Sequence, residues 1–250
     1  YRPHRLSELE EKILDEKANS GSRAFVRLFD EILSASRFQI EVEGVTKEMN
    51  QQQVLALLYH QERKQRRLAS DGFTQGLKRH NHLLTYIFNI LVLDHKINDS
   101  LRAYNTPMTA RNLSNEIDQD VVQTLLSSCE SGFDIVHRFY RFKAQLLGLK
   151  KLYDYDRYAP LFPNQSLCNW SQCKDIVEES FRQFDQRYGR IVQKFFTHSW
   201  IDAEIRLGKR GGAFSSGTVP SVHPYILVNY NDRPRDVMTV AHELGHGVHQ

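Results

Sequence analysis

The stretch Arg235-Asp-Val-Met-Thr-Val-Ala-His-Glu-Leu-Gly-His-Gly-Val-His-Gln250 decides how the rest of this 250-residue chain is read. Val237, Val240, Leu244 and Val248 recur at three- and four-residue spacing, the pattern of a helix with one apolar face. Asn231-Asp-Arg-Pro234 turns the chain just ahead of it. Asp232 is the expected N-cap and Pro234 suits the first helical position, so a helix is predicted over residues 234–250. Beside the apolar stripe, His242 and His246 stand at i and i+4, about 40° apart around the axis, so both imidazoles can reach one zinc ion. Glu243 lies about 100° from His242 and about 60° from His246, flanking the pair, where it can contact a metal-bound water rather than the metal. This spacing points to zinc hydrolysis of peptides: two neutral imidazoles hold the ion and Glu243 is the general base.

A catalytic zinc site takes a third protein ligand. It is expected on a helix beyond residue 250; Asp154, Asp156 and Glu204 are the alternatives within the chain. His249 reads as a surface histidine or as a neighbour of a zinc ligand, and His223 as a loop histidine with or without a place in a cleft.

Upstream of the motif helix, Gly211-Gly212, Gly217 and Pro220 separate short runs with strand character, residues 213–216 and 224–230. A small sheet therefore precedes the helix. Further back the chain reads as helix after helix: residues 6–18, 22–35, a helix starting near Thr46, residues 73–97 after a break at Asp71-Gly72, residues 118–149, and 170–197. Only residues 38–44 alternate like a strand and turn. The fold class is mostly α (α+β). The proline- and tyrosine-rich segment 152–163 reads as a packed, non-helical connector. It divides residues 1–150, a helical lobe, from residues 151–250, which end in the motif helix.

Composition fits a soluble globular protein, with 40% hydrophobic and 25% charged residues. No apolar run reaches the length of a membrane span. The net charge of +3 gives no reason to expect a nucleic-acid partner. Basic clusters at residues 62–67 and 78–82 motivate a rival reading as a helical nucleic-acid-binding or scaffold module, against that of solvated helix faces. Three cysteines, at 129, 168 and 173, without metal-ligand spacing suggest a reducing, cytoplasmic compartment. The chain lacks an initiator Met, and both ends read as cut from a longer polypeptide.

Gly208-Lys-Arg-Gly-Gly-Ala-Phe214, His223-Pro-Tyr-Ile-Leu-Val-Asn-Tyr230 and the 235–250 stretch together resemble oligoendopeptidase F, of the thimet oligopeptidase family; Leu152-Tyr-Asp-Tyr-Asp156 and Arg37-Phe-Gln-Ile40 also fit. The resemblance covers nearly the whole chain. It implies a multi-helical zincin-like oligopeptidase fold, with a small β-sheet before the active-site helix and a deep channel that admits short unfolded peptides. It implies one Zn2+ per chain on His242 and His246, Glu243 as general base, and a third ligand, a glutamate, beyond residue 250. Residues 151–250 would then be the N-terminal part of a catalytic domain. By position Gly212, Ala213, Phe214 and Ser215 would form the strand edge that meets substrate; edge backbone groups can bind any extended peptide. Short peptides are the implied partners, with no nucleic acid and no membrane. The remaining alternative is a catalytically silent piece that lacks its third ligand.

Overall fold

In the computed structural model, which describes residues 2–162 and 167–250, the motif helix starts at Pro234, its first helical residue. The N-cap is Arg233, not Asp232, which takes a left-handed conformation with φ 57° in the turn before it. The Asp236 carboxylate closes the turn by accepting from the backbone N–H of Asn231 at 2.8 Å and of Arg233 at 3.2 Å. A carboxylate in the first helical turn also meets the positive end of the helix dipole.

In chain order the helices are α1 (Glu8–Ala18), α2 (Ser22–Ala35), α3 (Gln51–Leu57), α4 (Arg63–Lys78), α5 (Asn81–Leu101), α6 (Thr109–Ser114), α7 (Gln119–Ser131), α8 (Phe133–Leu146), α9 (Trp170–Phe184), α10 (Gln186–Thr197) and α11 (Pro234–His249). The strands are β1 (Phe38–Val42), β2 (Val45–Met49), β3 (Ile201–Asp202), β4 (Phe214–Ser216) and β5 (Tyr225–Leu227). The mostly α (α+β) class is observed.

The chain packs as two compact units: Tyr1–Ile32 with Gln75–Arg157, and Leu33–Thr74 with Tyr158–Gln250. In the first, the Glu11 carboxylate of α1 accepts two hydrogen bonds from the Arg102 guanidinium, just past α5, each 2.7 Å. This fork holds the Glu11 carboxyl down to about 2.

In the second unit, α9, α10, β5 and α11 enclose one apolar core: Cys173, Val177, Val192, Phe195, Ile226, Val228, Val237, Val240 and Leu244. The predicted stripe of α11 is its buried face, with Val248 packed on the cluster margin. Gly247 belongs to that face for a steric reason. A Cβ there would lie 2.9 Å from Phe195 Cζ and 3.3 Å from Ile226 Cδ1. Gly247→Val should therefore cost about 2 kcal/mol or more through overpacking, read as a lower urea midpoint with an unchanged m value; an unchanged midpoint would show that the helix can back away freely.

Several elements depart from the sequence reading. Thr46 does not start a helix: Glu43 and Gly44, with φ 53° and 81°, form a tight turn that folds residues 45–49 back on β1 as β2, from Val42 opposite Val45 to Phe38 opposite Met49. The helix starts after Asn50, whose side chain and that of Gln53 cap each other's backbone N–H at 3.0 Å. Asp71-Gly72 does not end a helix either; Gly72 lies inside α4, where a Cβ would sit 2.3 Å from Ile40 Cδ1 of β1. It is a close-approach glycine, and the break falls later, between Lys78 and Asn81.

The 118–149 helix is two helices meeting at Gly132, and the 170–197 helix breaks at Asp185, which turns extended (φ −159°, ψ 132°) and caps α10 by accepting from Arg187 N–H at 2.7 Å. The connector predicted over residues 152–163 contains one turn of 3-10 helix at Asp154–Asp156, and its last residue, Pro163, lies outside the described residues.

The three-stranded sheet has the order β3-β5-β4, β3 parallel and β4 antiparallel to β5. The two-residue β3 was not anticipated. No helix among the described residues is long and apolar enough to cross a membrane.

Candidate active site

On α11 the buried face and the chemical face are neighbours. Leu244 and Gly247 are buried, while His242 and His246 project outward. The two imidazoles stand perpendicular, ring centroids 4.8 Å apart, and their Nε2 atoms approach to 3.2 Å. Two nitrogens on one tetrahedral zinc, each about 2.0–2.1 Å from the metal, lie about 3.3–3.4 Å apart. The pair therefore already has the spacing of two ligands to one ion, and the residues present fit zinc. Glu243 is only 8% exposed although it is one residue from an exposed histidine. It follows His242 directly and precedes the buried Leu244, so it sits at the margin of the packed face of the helix.

Among the described residues no group of three His, Cys, Asp or Glu side chains could hold a metal ion, and Glu204, in the same unit as the pair, does not complete it. The three cysteines are free. Burial pushes the Cys173 thiol up to about 11, which keeps it protonated at neutral pH. His249 is exposed.

Of the strand-edge residues, Phe214 and Ser215 belong to β4, and Gly212 and Ala213 lead into it. Among the described residues no strand pairs with the outer edge of β4, and α11 packs against the strand. The register settles which backbone groups face outward. The Ile226 and Val228 N–H groups of the β5 segment donate toward β3, to the Trp200 and Asp202 carbonyls, each at 2.9 Å. By alternation, Tyr225 and Leu227 face β4 and bond with their partners Ser216 and Phe214. Ser215, between them, turns its N–H and C=O to the free edge. Its side chain lies on the α11 side, where Oγ donates to Gln250 Oε1 at 3.0 Å. The Gly212 carbonyl is engaged by Asn229 Nδ2 at 2.9 Å.

His223 sits in an aromatic stack, its ring 3.6 Å from that of Trp200 with an interplanar angle of 7°, and edge-on to Tyr225 at 4.6 Å. Its Nδ1 approaches the Pro224 carbonyl at 3.1 Å.

The sequence reading missed Lys209. Its side chain is 2% exposed, and its ammonium donates to the Asp202 carboxylate at 3.0 Å and to the carbonyls of Asp202, Glu204 and Val228 at 3.0, 2.7 and 2.7 Å. Burial lowers its pKa. Asp202 also takes a two-point contact from Arg206, both bonds 2.6 Å, which with Lys209 holds its carboxyl below the usual range. A lone lysine among glycines gives no sequence signal of such burial.

Residues 56–250 match Peptidase family M3, and residues 1–38 match the description Oligopeptidase F. The chain belongs to peptidase family M3. It is 25% identical to oligopeptidase PepF of Bacillus subtilis (strain 168), over 99% of this chain and 37% of that protein. It is 29% identical to an oligoendopeptidase F homolog of Borreliella burgdorferi, over 98% of this chain and 42% of that protein. The chain thus spans about two-fifths of the length of these relatives. A solved structure of PZ peptidase A with inhibitor 2 matches in fold, with TM-score 0.81 at 16% identity over 91% of this chain and 41% of that one.

Proposed function

We propose that this chain is part of a zinc-dependent endopeptidase that hydrolyses short, unfolded peptides. The observation that carries the reading is the 3.2 Å approach of the His242 and His246 Nε2 atoms on the helix that also carries Glu243. Zinc held by this pair, with a third ligand that we place after residue 250, would supply Lewis-acid polarisation of the scissile carbonyl and a more acidic water. Glu243 would accept the proton of the attacking water and pass it to the departing amine, with no covalent enzyme intermediate. Residues 151–250 would be the N-terminal part of the catalytic domain. Free thiols at all three cysteines support a cytoplasmic setting.

The free edge of β4 supports a peptide substrate. An extended chain laid along it would pair with the outward N–H and C=O of Ser215, and with Gly212, Ala213 and Phe214 alongside, independent of its side chains. His223, held by Trp200, would line the approach. Ser215→Pro removes one outward backbone donor, and with it the side-chain bond to Gln250, while leaving the bonds to β5 in place; Ser215→Ala, which removes the side-chain bond alone, is the control. In the natural-length protein the proline variant should raise KM for an eight-residue peptide about tenfold, the loss of one well-placed hydrogen bond, with kcat changed less. An unchanged KM would remove Ser215 from substrate binding. Cleavage of a folded protein as fast as of its unfolded segments would overturn the restriction to short unfolded peptides.

A further inference from the structure

Resting on the peptidase reading above, we propose that Lys209 is a positioning residue for the peptide-binding edge: its buried ammonium locks the loop between β3 and β4 so that β4 keeps its register beside α11. An ammonium has three N–H donors. Here four acceptors lie within 3.0 Å, the Asp202 carboxylate and the carbonyls of Asp202, Glu204 and Val228, so no donor is left for a substrate. Lys209 therefore acts through the backbone it holds and not by touching a peptide.

The acceptors mark out what is held. Asp202 ends β3, Glu204 begins the loop to β4, and Val228 follows β5. One cation thus gathers the exits of two paired strands and the start of the segment that delivers the third. Gly208 and Gly212, at φ 75° and 84°, let the backbone fold around it in conformations that a side chain would strain. Asn229, next to Val228, holds the far side of the loop: its Nδ2 donates to the Arg210 carbonyl at 3.1 Å and to that of Gly212 at 2.9 Å. The path from Asp202 to Phe214 is pinned at both ends, and what it delivers is the edge whose Ser215 faces outward. Replacing the lysine by an apolar chain of similar length leaves three inward-facing carbonyls without this donor, while the Asp202 carboxylate keeps Arg206, so the loop must open to hydrate the carbonyls.

The test uses the natural-length protein as Lys209→Met and as Asn229→Ala, which removes only the two outer bonds should the lysine variant fail to fold. Amide exchange at Phe214 and Ser216, whose N–H groups bond to β5, should accelerate at least tenfold in Lys209→Met and about threefold in Asn229→Ala, with Val240 and Leu244 of α11 unchanged. In Lys209→Met, kcat/KM should fall about tenfold for an eight-residue peptide and less than threefold for a three-residue one too short to lie along the edge, through KM. A general loss of stability would depress both peptides alike and speed exchange in α11 as well, and would overturn the proposal. So would unchanged protection at Phe214 and Ser216 in both variants. If the unaltered protein cleaves no peptide, the peptidase reading fails by itself and amide exchange alone decides whether Lys209 sets the register of β4.

Discussion

Glu243→Gln in the natural-length protein should keep one zinc per chain and lose nearly all peptide turnover. The amide is close to the carboxylate in size, so the margin of the α11 core, where Glu243 is 8% exposed, accepts it without a new cavity. The change removes the one property on which the assigned role depends, a lone pair basic enough to take a proton from water. Positioned general bases contribute between about a hundred- and ten-thousandfold, equivalent to about 3–5.5 kcal/mol in the barrier. The fall should appear in kcat, with KM little changed, because the proposed role has Glu243 meet the water and not the peptide backbone. Steady-state kinetics beside metal analysis of the same preparation separates the outcomes. Full turnover with full zinc would strip Glu243 of its role; loss of both would make it a determinant of the metal site.

His246→Ala should lose the zinc itself. The imidazole pair owes its geometry to one turn of α11, which brings the Nε2 atoms to 3.2 Å. Removing either ring leaves a single histidine of the pair, and the ion loses a ligand that no neighbour can replace, since no third metal-capable side chain stands with the pair among the described residues. His246 is exposed and distinct from the buried Val237, Val240 and Leu244 face, so the helix and its core should survive. Dialysed His246→Ala protein is expected to hold less than a tenth of an equivalent of zinc, with its unfolding midpoint close to that of metal-free unaltered protein. Retained stoichiometric zinc would refute the ligand.

The parts of this arrangement legible in the sequence are those written in local chemistry. The apolar stripe of α11, Pro234 at its start and the i, i+4 histidines each follow from helical periodicity, and the structure keeps all three. The glycine- and proline-bounded runs became β4 and β5 for the same reason. What stayed hidden depends on contacts distant in sequence. Gly72 looked like punctuation because nothing local reveals Ile40 packed against it. Gly132 and Asp185 were invisible because the apolar pattern runs on through both breaks. The two residues of β3 are too few to carry alternation, and their pairing with β5 is decided 25 residues later in the chain, Ile201 lying opposite Ile226. Nor does any local pattern say that Leu33–Thr74 packs into one unit with Tyr158–Gln250. The burial of Lys209 is the same kind of fact: its acceptors at Asp202, Glu204 and Val228 converge only once the sheet has formed.

Hydrolysis of an internally quenched eight-residue peptide by the natural-length protein, before and after chelation and after zinc is returned, tests the central claim most directly. The account predicts cleavage that the chelator abolishes and one equivalent of zinc restores. Cleavage that persists in full without metal, or no cleavage across a varied peptide set with zinc present, would contradict it.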